Sequence, residues 1–144
     1  MELKDIKAVY FVGAGGIGMS ALARYFLHRH LVVAGYDRTP TPLTHELEHK
    51  LMQIHYEEDV DQIPAPCRDR EHTLVVFTPA IPASHAELAW FKEHDFTIEK
   101  RAQVLGTLTR THKGLCFAGT HGKTTTSTMC AHIMSQRHVG CNAF

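Results

Sequence analysis

The feature that most constrains the fold is a short apolar run that ends in a glycine-rich turn and leads into a helix. Ala8–Val12 is continuously apolar, as expected for a strand covered on both faces. The turn Gly13-Ala14-Gly15-Gly16-Ile17-Gly18 follows it, and an apolar stripe then recurs at helical spacing at Ile17, Leu22, Ala23 and Phe26. Together these features predict a strand, a tight turn and a helix that open a nucleotide-binding unit.

The same alternation of strand and helix continues along the chain. Apolar runs predict further strands over residues 31–36, 54–56, 74–77 and 96–98. Helical spacing predicts helices near residues 43–52, with Leu43, Leu47 and Leu51 on one side, 84–94 and 102–108. Ser84 followed three residues later by Glu87 predicts a capping box at the start of the second of these helices. We therefore predict an α/β fold with a Rossmann-like, doubly wound parallel sheet.

The first glycine loop, Gly13-x-Gly15-x-x-Gly18, is typical of sites that hold a nucleotide diphosphate. The first glycine allows the tight turn, the second lets the backbone approach the pyrophosphate, and the third allows close helix packing. The amino end of the helix then faces the anion. Asp37 ends the second predicted strand, nineteen residues after Gly18, where its carboxylate can accept hydrogen bonds from ribose hydroxyls. The loop indicates a nucleotide diphosphate without saying which nucleotide.

A second glycine loop follows another predicted strand, residues 114–118, and precedes a predicted helix from Lys123 to about Gln136. Its Gly-Lys-Thr end is typical of a phosphate loop, although only two residues separate the first glycine from that end, where the common pattern has four. Backbone N–H groups would cradle phosphates, Lys123 would neutralise the β and γ oxygens, and the Thr124 hydroxyl would bind Mg²⁺. The candidate ATP-binding residues are Gly119, Thr120, His121, Gly122, Lys123, Thr124 and Thr125.

Composition excludes several classes of protein. The formal net charge is zero, with 15 basic and 15 acidic residues, so we expect no nucleic-acid partner. The apolar runs are too short to span a bilayer, and the charged amino terminus does not resemble a signal peptide. The four cysteines show no paired spacing, which is typical of a reducing compartment. We therefore expect a cytoplasmic protein with no membrane partner, while its oligomeric state stays open.

One further motif matches a zinc pattern. His45-Glu46-Leu47-Glu48-His49 has the H-E-x-x-H spacing on a predicted helix. A catalytic zinc needs a third protein ligand and a closed pocket. The charged residues around Leu47 favour a solvated helix face instead, and we predict no metal site there.

The order of the two loops and their amino-acid sequences together resemble those of the Mur ligase family. The first stretch is Gly15-Gly16-Ile17-Gly18-Met19-Ser20-Ala21-Leu22-Ala23, and Ala118-Gly119-Thr120-His121-Gly122-Lys123-Thr124-Thr125-Thr126 follows about one hundred residues later. Arg101-Ala102-Gln103-Val104-Leu105 is similar to the family's Arg-Ala-Glu-x-Leu segment, with Gln103 in place of glutamate. Thr78-Pro79-Ala80-Ile81 stands where many members have Ser-Ser-Ala-Ile, and Pro79 removes a backbone donor from that loop.

The resemblance implies a domain organisation and a set of site residues. Residues 1–110 would form the Rossmann-like domain for a UDP-sugar, and residues 111–144 would supply the first strand, phosphate loop and helix of an incomplete ATP-binding domain. The first loop would then hold the UDP diphosphate rather than NAD. The UDP-sugar-binding residues that the resemblance implies are Gly13, Gly15, Gly16, Ile17, Gly18, Asp37, Thr78 and Ala80.

The resemblance also implies an activity. Family members with the most similar loop sequences use ATP and Mg²⁺ to phosphorylate the carboxylate of UDP-N-acetylmuramate. The amine of L-alanine then attacks the acyl phosphate, as a step of peptidoglycan synthesis. Lys123 would stabilise the transferring phosphoryl group and Thr124 would help hold Mg²⁺. The other ATP, alanine and metal contacts would lie beyond Phe144, so we expect this chain to be inactive alone.

Three other interpretations also fit parts of the sequence. The first loop and Asp37 also fit the nucleotide-binding domain of an NAD-dependent dehydrogenase, although such an enzyme has no use for Gly122-Lys123-Thr124. A murein-peptide recycling ligase of the same family would share both loops. A stand-alone sugar-nucleotide binding module would need only the first.

Overall fold

The computed structural model describes residues 3–137 and 139–144. The described residues divide into two compact units, the first ending at Leu105 and the second running from Gly106 to Phe144. The strands are β1 (Ala8–Val12), β2 (Val32–Tyr36), β3 (Gln53–His55), β4 (Thr73–Phe77) and β5 (Thr97–Lys100). The helices are α1 (Ile17–His28), α2 (Pro42–His49), α3 (Ala86–Glu93), α4 (Arg101–Thr111) and α5 (Lys123–Gln136). Two short 3-10 turns, Val60–Gln62 and Ala65–Arg68, lie between β3 and β4.

The five strands form one parallel sheet in the order β3-β2-β1-β4-β5. The central strand is β1, in which Ala8 pairs with Val32 on one side and Thr73 on the other. Every residue of β1 is buried, as its unbroken apolar sequence predicted. The order reverses direction between β1 and β4, so the carboxyl ends of these two strands flank the crevice where ligands bind in such sheets. The predicted α/β fold with a doubly wound parallel sheet is confirmed.

Helix α1 covers the sheet with a stripe that differs from the predicted one at its first position. Met19, Leu22, Ala23 and Phe26 are buried at spacings of three, four and seven residues. Ile17, which was predicted to belong to this stripe, is 81% exposed. Its position two residues before Met19 turns its side chain away from the buried face, so that part of the prediction was wrong. The exposed Ile17 lies instead beside the glycine loop.

Helix α2 is shorter than predicted. Thr41 caps it, since its hydroxyl accepts a hydrogen bond from the Thr44 amide and the Thr44 hydroxyl accepts one from the Thr41 amide. Leu47 is fully buried, as predicted, whereas Leu51 is 86% exposed with a φ of 71°. The predicted stripe fails at Leu51 because the chain leaves the helical conformation after His49 and turns into β3.

The capping box predicted from Ser84 and Glu87 is also wrong. Helix α3 begins at Ala86 with His85 as its N-cap, and no side chain caps it. The Glu87 carboxylate is fully buried and accepts hydrogen bonds from the Tyr10 hydroxyl at 2.6 Å and the Asp59 amide at 3.2 Å. Ser84 and Glu87 have the spacing of a capping box, but the Glu87 carboxylate binds Tyr10 on β1 instead of the amino end of the helix.

Tyr10, His55 and Glu87 form a buried polar cluster that links β1, β3 and α3. The Tyr10 hydroxyl lies 2.7 Å from His55 Nε2, and His55 Nδ1 lies 2.7 Å from the Glu57 carbonyl oxygen. Burial is the main cause that raises the pKa of Glu87, against the opposing effects of the Tyr10 hydrogen bond and of His55. Phe91 packs on Tyr10 with ring centroids 5.0 Å apart, so aromatic contacts enclose the polar atoms.

The strand predicted over residues 114–118 does not form. Leu115 is 63% exposed and Phe117 is 37% exposed, and no regular structure includes them. A parallel strand is stable only when neighbouring strands satisfy its N–H and C=O groups. Among the described residues no strand pairs with this segment. The helix predicted after it is confirmed, since α5 runs from Lys123 to Gln136.

All four cysteines are free thiols. Cys67 is buried, and burial raises the pKa of its thiol to about 12, whereas Cys116 and Cys141 are exposed. Because the thiolate is the reactive form of cysteine, Cys67 is protected from reaction both by its burial and by the proton that its thiol retains.

Within residues 3–137 and 139–144, none of the helices has the length and apolar character needed to cross a membrane.

We expect Tyr10→Phe to lower the free energy of unfolding by about 1–3 kcal/mol, because it leaves a buried Glu87 oxygen without its donor. Tyr25→Phe is the matched control, because the Tyr25 hydroxyl accepts its hydrogen bond from Arg29 at an exposed position. Its effect should stay within about 0.5 kcal/mol. Urea unfolding of both variants measures the difference, and equal stability of the two variants would contradict the role given to Tyr10.

Glu87 should also make stability depend on pH. Its pKa is raised above the ordinary value of 4.5, so the folded state holds the proton more tightly than the unfolded state does. This contribution is complete below about pH 4.5 and is lost as the pH rises through the folded pKa. Glu87→Gln is neutral at every pH, so its stability relative to the unmodified chain should increase from about pH 4.5 toward neutrality.

Thermal unfolding across that pH range tests this, with the exposed Glu93→Gln as the control. A stability difference for Glu87→Gln that does not change with pH would show that the buried carboxyl group is not responsible.

Candidate functional site

The first glycine loop is held against the ends of two neighbouring strands. The amides of Gly13 and Ala14 both donate to the Tyr36 carbonyl oxygen, at 2.8 and 3.0 Å, so the loop is tied to the carboxyl end of β2. Gly13 has a φ of 91°, a backbone conformation that residues other than glycine rarely adopt. A Cβ atom at Gly13 would also lie 2.7 Å from Thr78 Cγ2, just after β4. The first glycine is therefore required by both its backbone conformation and its neighbour.

Asp37 braces the middle of the loop. Its Oδ2 accepts a hydrogen bond from the Gly15 amide at 2.6 Å, and its Oδ1 accepts one from the Thr39 amide at 3.1 Å. A Cβ atom at Gly15 would lie 2.9 Å from Asp37 Oδ2 and 3.1 Å from Thr44 Cγ2. The second glycine is thus needed because the Asp37 carboxylate occupies the space beside it. Contact between Asp37 and a ribose stays a prediction.

The amino end of α1 is open to a ligand. Gly16 is the N-cap and has no side chain to cap the first turn, which contains no acidic residue. Uncapped N–H groups at a helix start carry a partial positive charge and attract anions. The exposed Ile17 side chain lies at this same end. The loop therefore offers backbone donors, a positive helix end and one apolar surface.

Sequence reasoning missed one charged residue at this end of α1. A Cβ atom placed at Gly18 would lie 2.6 Å from Nη1 of Arg101 and 3.0 Å from its Cδ. Arg101 is the first residue of α4 and follows β5 directly, which places it at the carboxyl edge of the sheet. The available signal was an arginine three residues after the predicted strand 96–98, but it was interpreted only as part of an Arg-Ala-Gln segment.

Thr78 and Ala80 belong to a tight turn after β4. The Ile81 amide donates to the Thr78 carbonyl oxygen at 3.1 Å, so Pro79 occupies the second position of the turn, which favours proline. The missing N–H of Pro79 therefore costs this turn no hydrogen bond. The Thr78 side chain contacts Gly13, whereas Ala80 is exposed. Phosphate contacts from these two residues stay predictions.

The second glycine loop belongs to the second unit and leads into α5. Gly122 is its N-cap, with a φ of 76° in the left-handed region that favours glycine, and no side chain caps the helix. The Lys123 ammonium donates to the Gly119 carbonyl oxygen at 2.7 Å, so the lysine folds back over the loop. The candidate ATP-binding residues are all exposed, either on this loop or in the first turn of α5: Gly119, Thr120, His121, Gly122, Lys123, Thr124 and Thr125. Their binding of ATP is a prediction that the geometry leaves open.

The zinc-like motif on α2 forms ion pairs with its own neighbours. His45 Nδ1 lies 2.9 Å from Glu48 Oε2, and Glu46 pairs with Arg24 and Lys50, each at 3.2 Å. In the part of the chain that the structure describes, no group of three or more His, Cys, Asp or Glu side chains could hold a metal ion.

We expect Gly13→Ala to lower the free energy of unfolding by about 2 kcal/mol or more, because it combines a positive φ with a clash against Thr78. Gly16→Ala is the matched control, since a Cβ atom there would meet only Met19 Cγ at 3.9 Å. Alanine is a poorer N-cap than glycine, which lowers stability, but it also makes the unfolded chain less flexible, which raises stability. Because these effects oppose each other, the free energy of unfolding should change by less than about 1 kcal/mol. If thermal unfolding shows Gly13→Ala to be as stable as Gly16→Ala, the loop conformation described above is wrong.

The chain is similar in sequence to known Mur ligases. A sequence model described as "Mur ligase family, catalytic domain" matches residues 8–113. The UDP-N-acetylmuramate–L-alanine ligase of Phocaeicola vulgatus is 59% identical over 100% of this chain and 31% of its own length. The corresponding ligase of Porphyromonas gingivalis is 50% identical over 96% of this chain and 30% of its own length. The chain therefore spans about a third of the length of these curated relatives.

The fold is also shared by solved structures of this kind of enzyme. The UDP-N-acetylmuramate-alanine ligase of Thermotoga maritima has a TM-score of 0.79 and 32% identity, over 91% of this chain and 30% of that one. A murein peptide ligase from Psychrobacter arcticus has a TM-score of 0.79 and 25% identity, over 92% of this chain and 27% of that one. Since the family model covers most of the chain and relatives match its entire length, this chain belongs to the Mur ligase family.

Proposed function

We propose that this chain is part of a ligase that uses ATP to join L-alanine to the carboxylate of UDP-N-acetylmuramate in peptidoglycan synthesis. The observation that carries the proposal is the 59% identity to such a ligase across the whole chain, with both glycine loops included. Residues 1–110 form the domain for the UDP-sugar, and residues 111–144 begin the domain for ATP. Both substrates are nucleotides of the cell interior, so the proposal includes a cytoplasmic location.

The first glycine loop binds the diphosphate of UDP-N-acetylmuramate in this proposal. The uncapped first turn of α1 supplies N–H donors, and the loop lies at the reversal of strand order where such sheets bind ligands. Asp37 holds Gly15 in place and retains acceptor capacity for a ribose hydroxyl. The binding residues are Gly13, Gly15, Gly16, Ile17, Gly18, Asp37, Thr78 and Ala80.

The second loop binds the phosphates of ATP, together with Mg²⁺. Lys123 now donates to the Gly119 carbonyl oxygen, a neutral acceptor that a phosphate oxygen would replace with a stronger, charged one. Thr124 provides one hydroxyl ligand, and among the described residues no cluster of carboxylates or imidazoles could bind a metal alone. The donor set therefore fits Mg²⁺ that arrives with the nucleotide, and the ion would neutralise phosphate charge.

The proposed reaction has two steps. A carboxylate oxygen attacks the γ-phosphorus of ATP, which gives an acyl phosphate and ADP, and the amine of L-alanine then displaces inorganic phosphate to form the amide. Lys123 stabilises the charge on the transferring phosphoryl group, so its main effect is on turnover. The catalytic residues of this chain are Lys123 and Thr124.

A murein-peptide recycling ligase is the second candidate, because such a ligase from Psychrobacter arcticus has the same TM-score as the alanine ligase. The higher identity of the alanine ligases favours the first candidate. A dehydrogenase domain and a stand-alone sugar-nucleotide module leave the second glycine loop without a purpose.

Calorimetric titration of this chain with UDP-N-acetylmuramate, with NADH as the control ligand, tests the first site. We expect binding of the UDP-sugar and no binding of NADH. Binding of NADH alone would replace the ligase proposal with a dehydrogenase domain.

A chimaeric enzyme tests the activity. Residues 1–144 replace the matching segment of the Phocaeicola vulgatus ligase, to which they are 59% identical. We expect ATP-dependent ligation of L-alanine, and Lys123→Met should lower kcat by a factor on the order of one hundred or more. The exposed Lys113→Met is the control. Full activity of Lys123→Met would contradict the role of that residue.

A further inference from the structure

Arg101 is a charged residue at the first glycine loop that neither the loop pattern nor the proposed function assigns. It begins α4 at the carboxyl end of β5, and its side chain lies against Gly18 in the first turn of α1. We propose that the Arg101 guanidinium binds the diphosphate of the sugar nucleotide together with the first-turn amides of α1. This inference rests on the proposed function of the loop and adds a specificity-determining residue to it.

The Arg101 side chain lies directly against Gly18. The three atoms nearest to a Cβ atom at Gly18 all belong to Arg101: Nη1 at 2.6 Å, Cδ at 3.0 Å and Cζ at 3.0 Å. In the dinucleotide fingerprint the third glycine allows the helix to pack closely on a strand. In this chain the third glycine instead leaves space for a guanidinium at the start of the helix. Gly18 and Arg101 therefore act as a pair.

The charges around Arg101 favour a bound anion. The amino end of α1 carries partial positive charge, so an arginine is more favourably placed at the carboxyl end of a helix than here. The first turn of α1 contains no acidic residue, and within the described parts of the chain no carboxylate is paired with Arg101. Asp37, which braces the loop from the end of β2, accepts a hydrogen bond from the Gly15 amide with its Oδ2. The two positive groups are uncompensated until an anion binds.

The chemistry of the side chain indicates which anion. A guanidinium presents forked N–H donors that match two oxygens of a phosphate, and such charge-assisted pairs are stronger than neutral hydrogen bonds. A diphosphate has oxygens on two phosphorus atoms, so it can contact the helix amides and the guanidinium at once. Arg101 would thus favour nucleoside diphosphate sugars over ligands with a single phosphate.

The test compares affinity with stability in the 144-residue chain. We expect Arg101→Met to weaken binding of UDP-N-acetylmuramate by on the order of tenfold or more in calorimetry. Without ligand it should unfold at the same temperature as the unmodified chain or higher, because a positive charge is removed from a positive helix end. Arg101→Lys should recover only part of the affinity, since it lacks the forked donors. Arg70→Met, close to the amino end of β4, is the control and should bind normally.

A mutant cycle with Gly18→Ala separates binding by Arg101 from packing. The new methyl group displaces only the flexible end of Arg101, so the chain should fold, with a gain in helix propensity. Gly18→Ala should weaken UDP-sugar binding several-fold in the unmodified chain and have little further effect in Arg101→Met. Equal effects in both backgrounds would overturn the pairing of Gly18 with Arg101.

The outcomes separate this inference from the proposed function. Wild-type affinity in Arg101→Met overturns the role of Arg101 and leaves the UDP-sugar site in place. Failure of the unmodified chain to bind UDP-N-acetylmuramate overturns both. Lower stability of Arg101→Met, with affinity lost only in proportion to unfolding, would show that Arg101 has a structural role.

Discussion

The parallel pairing of β1 with β2 and β4 is the constraint on which the rest of the first unit depends. It buries every residue of β1 and brings the carboxyl ends of three strands to one edge. At that edge Gly13 follows β1, Asp37 follows β2 and Thr78 follows β4. The contacts that these residues make therefore depend on the register of the strands. A slip of the register would separate these residues and abolish the site.

The site combines rigid support with uncompensated positive charge. Asp37 fixes the loop by accepting from the Gly15 amide, so the uncapped amides of α1 keep their direction without a ligand. Such preorganisation reduces the cost of binding, because little has to be ordered when the anion arrives. The second loop differs, since Lys123 donates to the Gly119 carbonyl oxygen, and under the proposed function it would exchange that contact for a phosphate.

The sequence predicted the sheet, the order of its elements and the helix after the second loop, because buried parallel strands and glycine turns have strong local patterns. It failed where tertiary contacts decide the outcome. Glu87 has the spacing of a capping box but pairs with Tyr10, and the apolar segment containing Phe117 lacks the neighbouring strands that would make it a strand. Arg101 could not be assigned to the loop because no local pattern links it to Gly18, 83 positions earlier in the chain.

The most direct test of the account is to observe backbone amides by NMR in the ¹⁵N-labelled chain during titration with UDP-N-acetylmuramate. If the first glycine loop binds the diphosphate, the amide signals of Ile17 and Gly18 should shift in a saturable manner, while that of Lys123 stays unchanged. ATP with Mg²⁺ should not reproduce the shifts at Ile17 and Gly18. Saturable shifts at Lys123 alone, with none at the amino end of α1, would contradict the assignment of the UDP-sugar to the first loop.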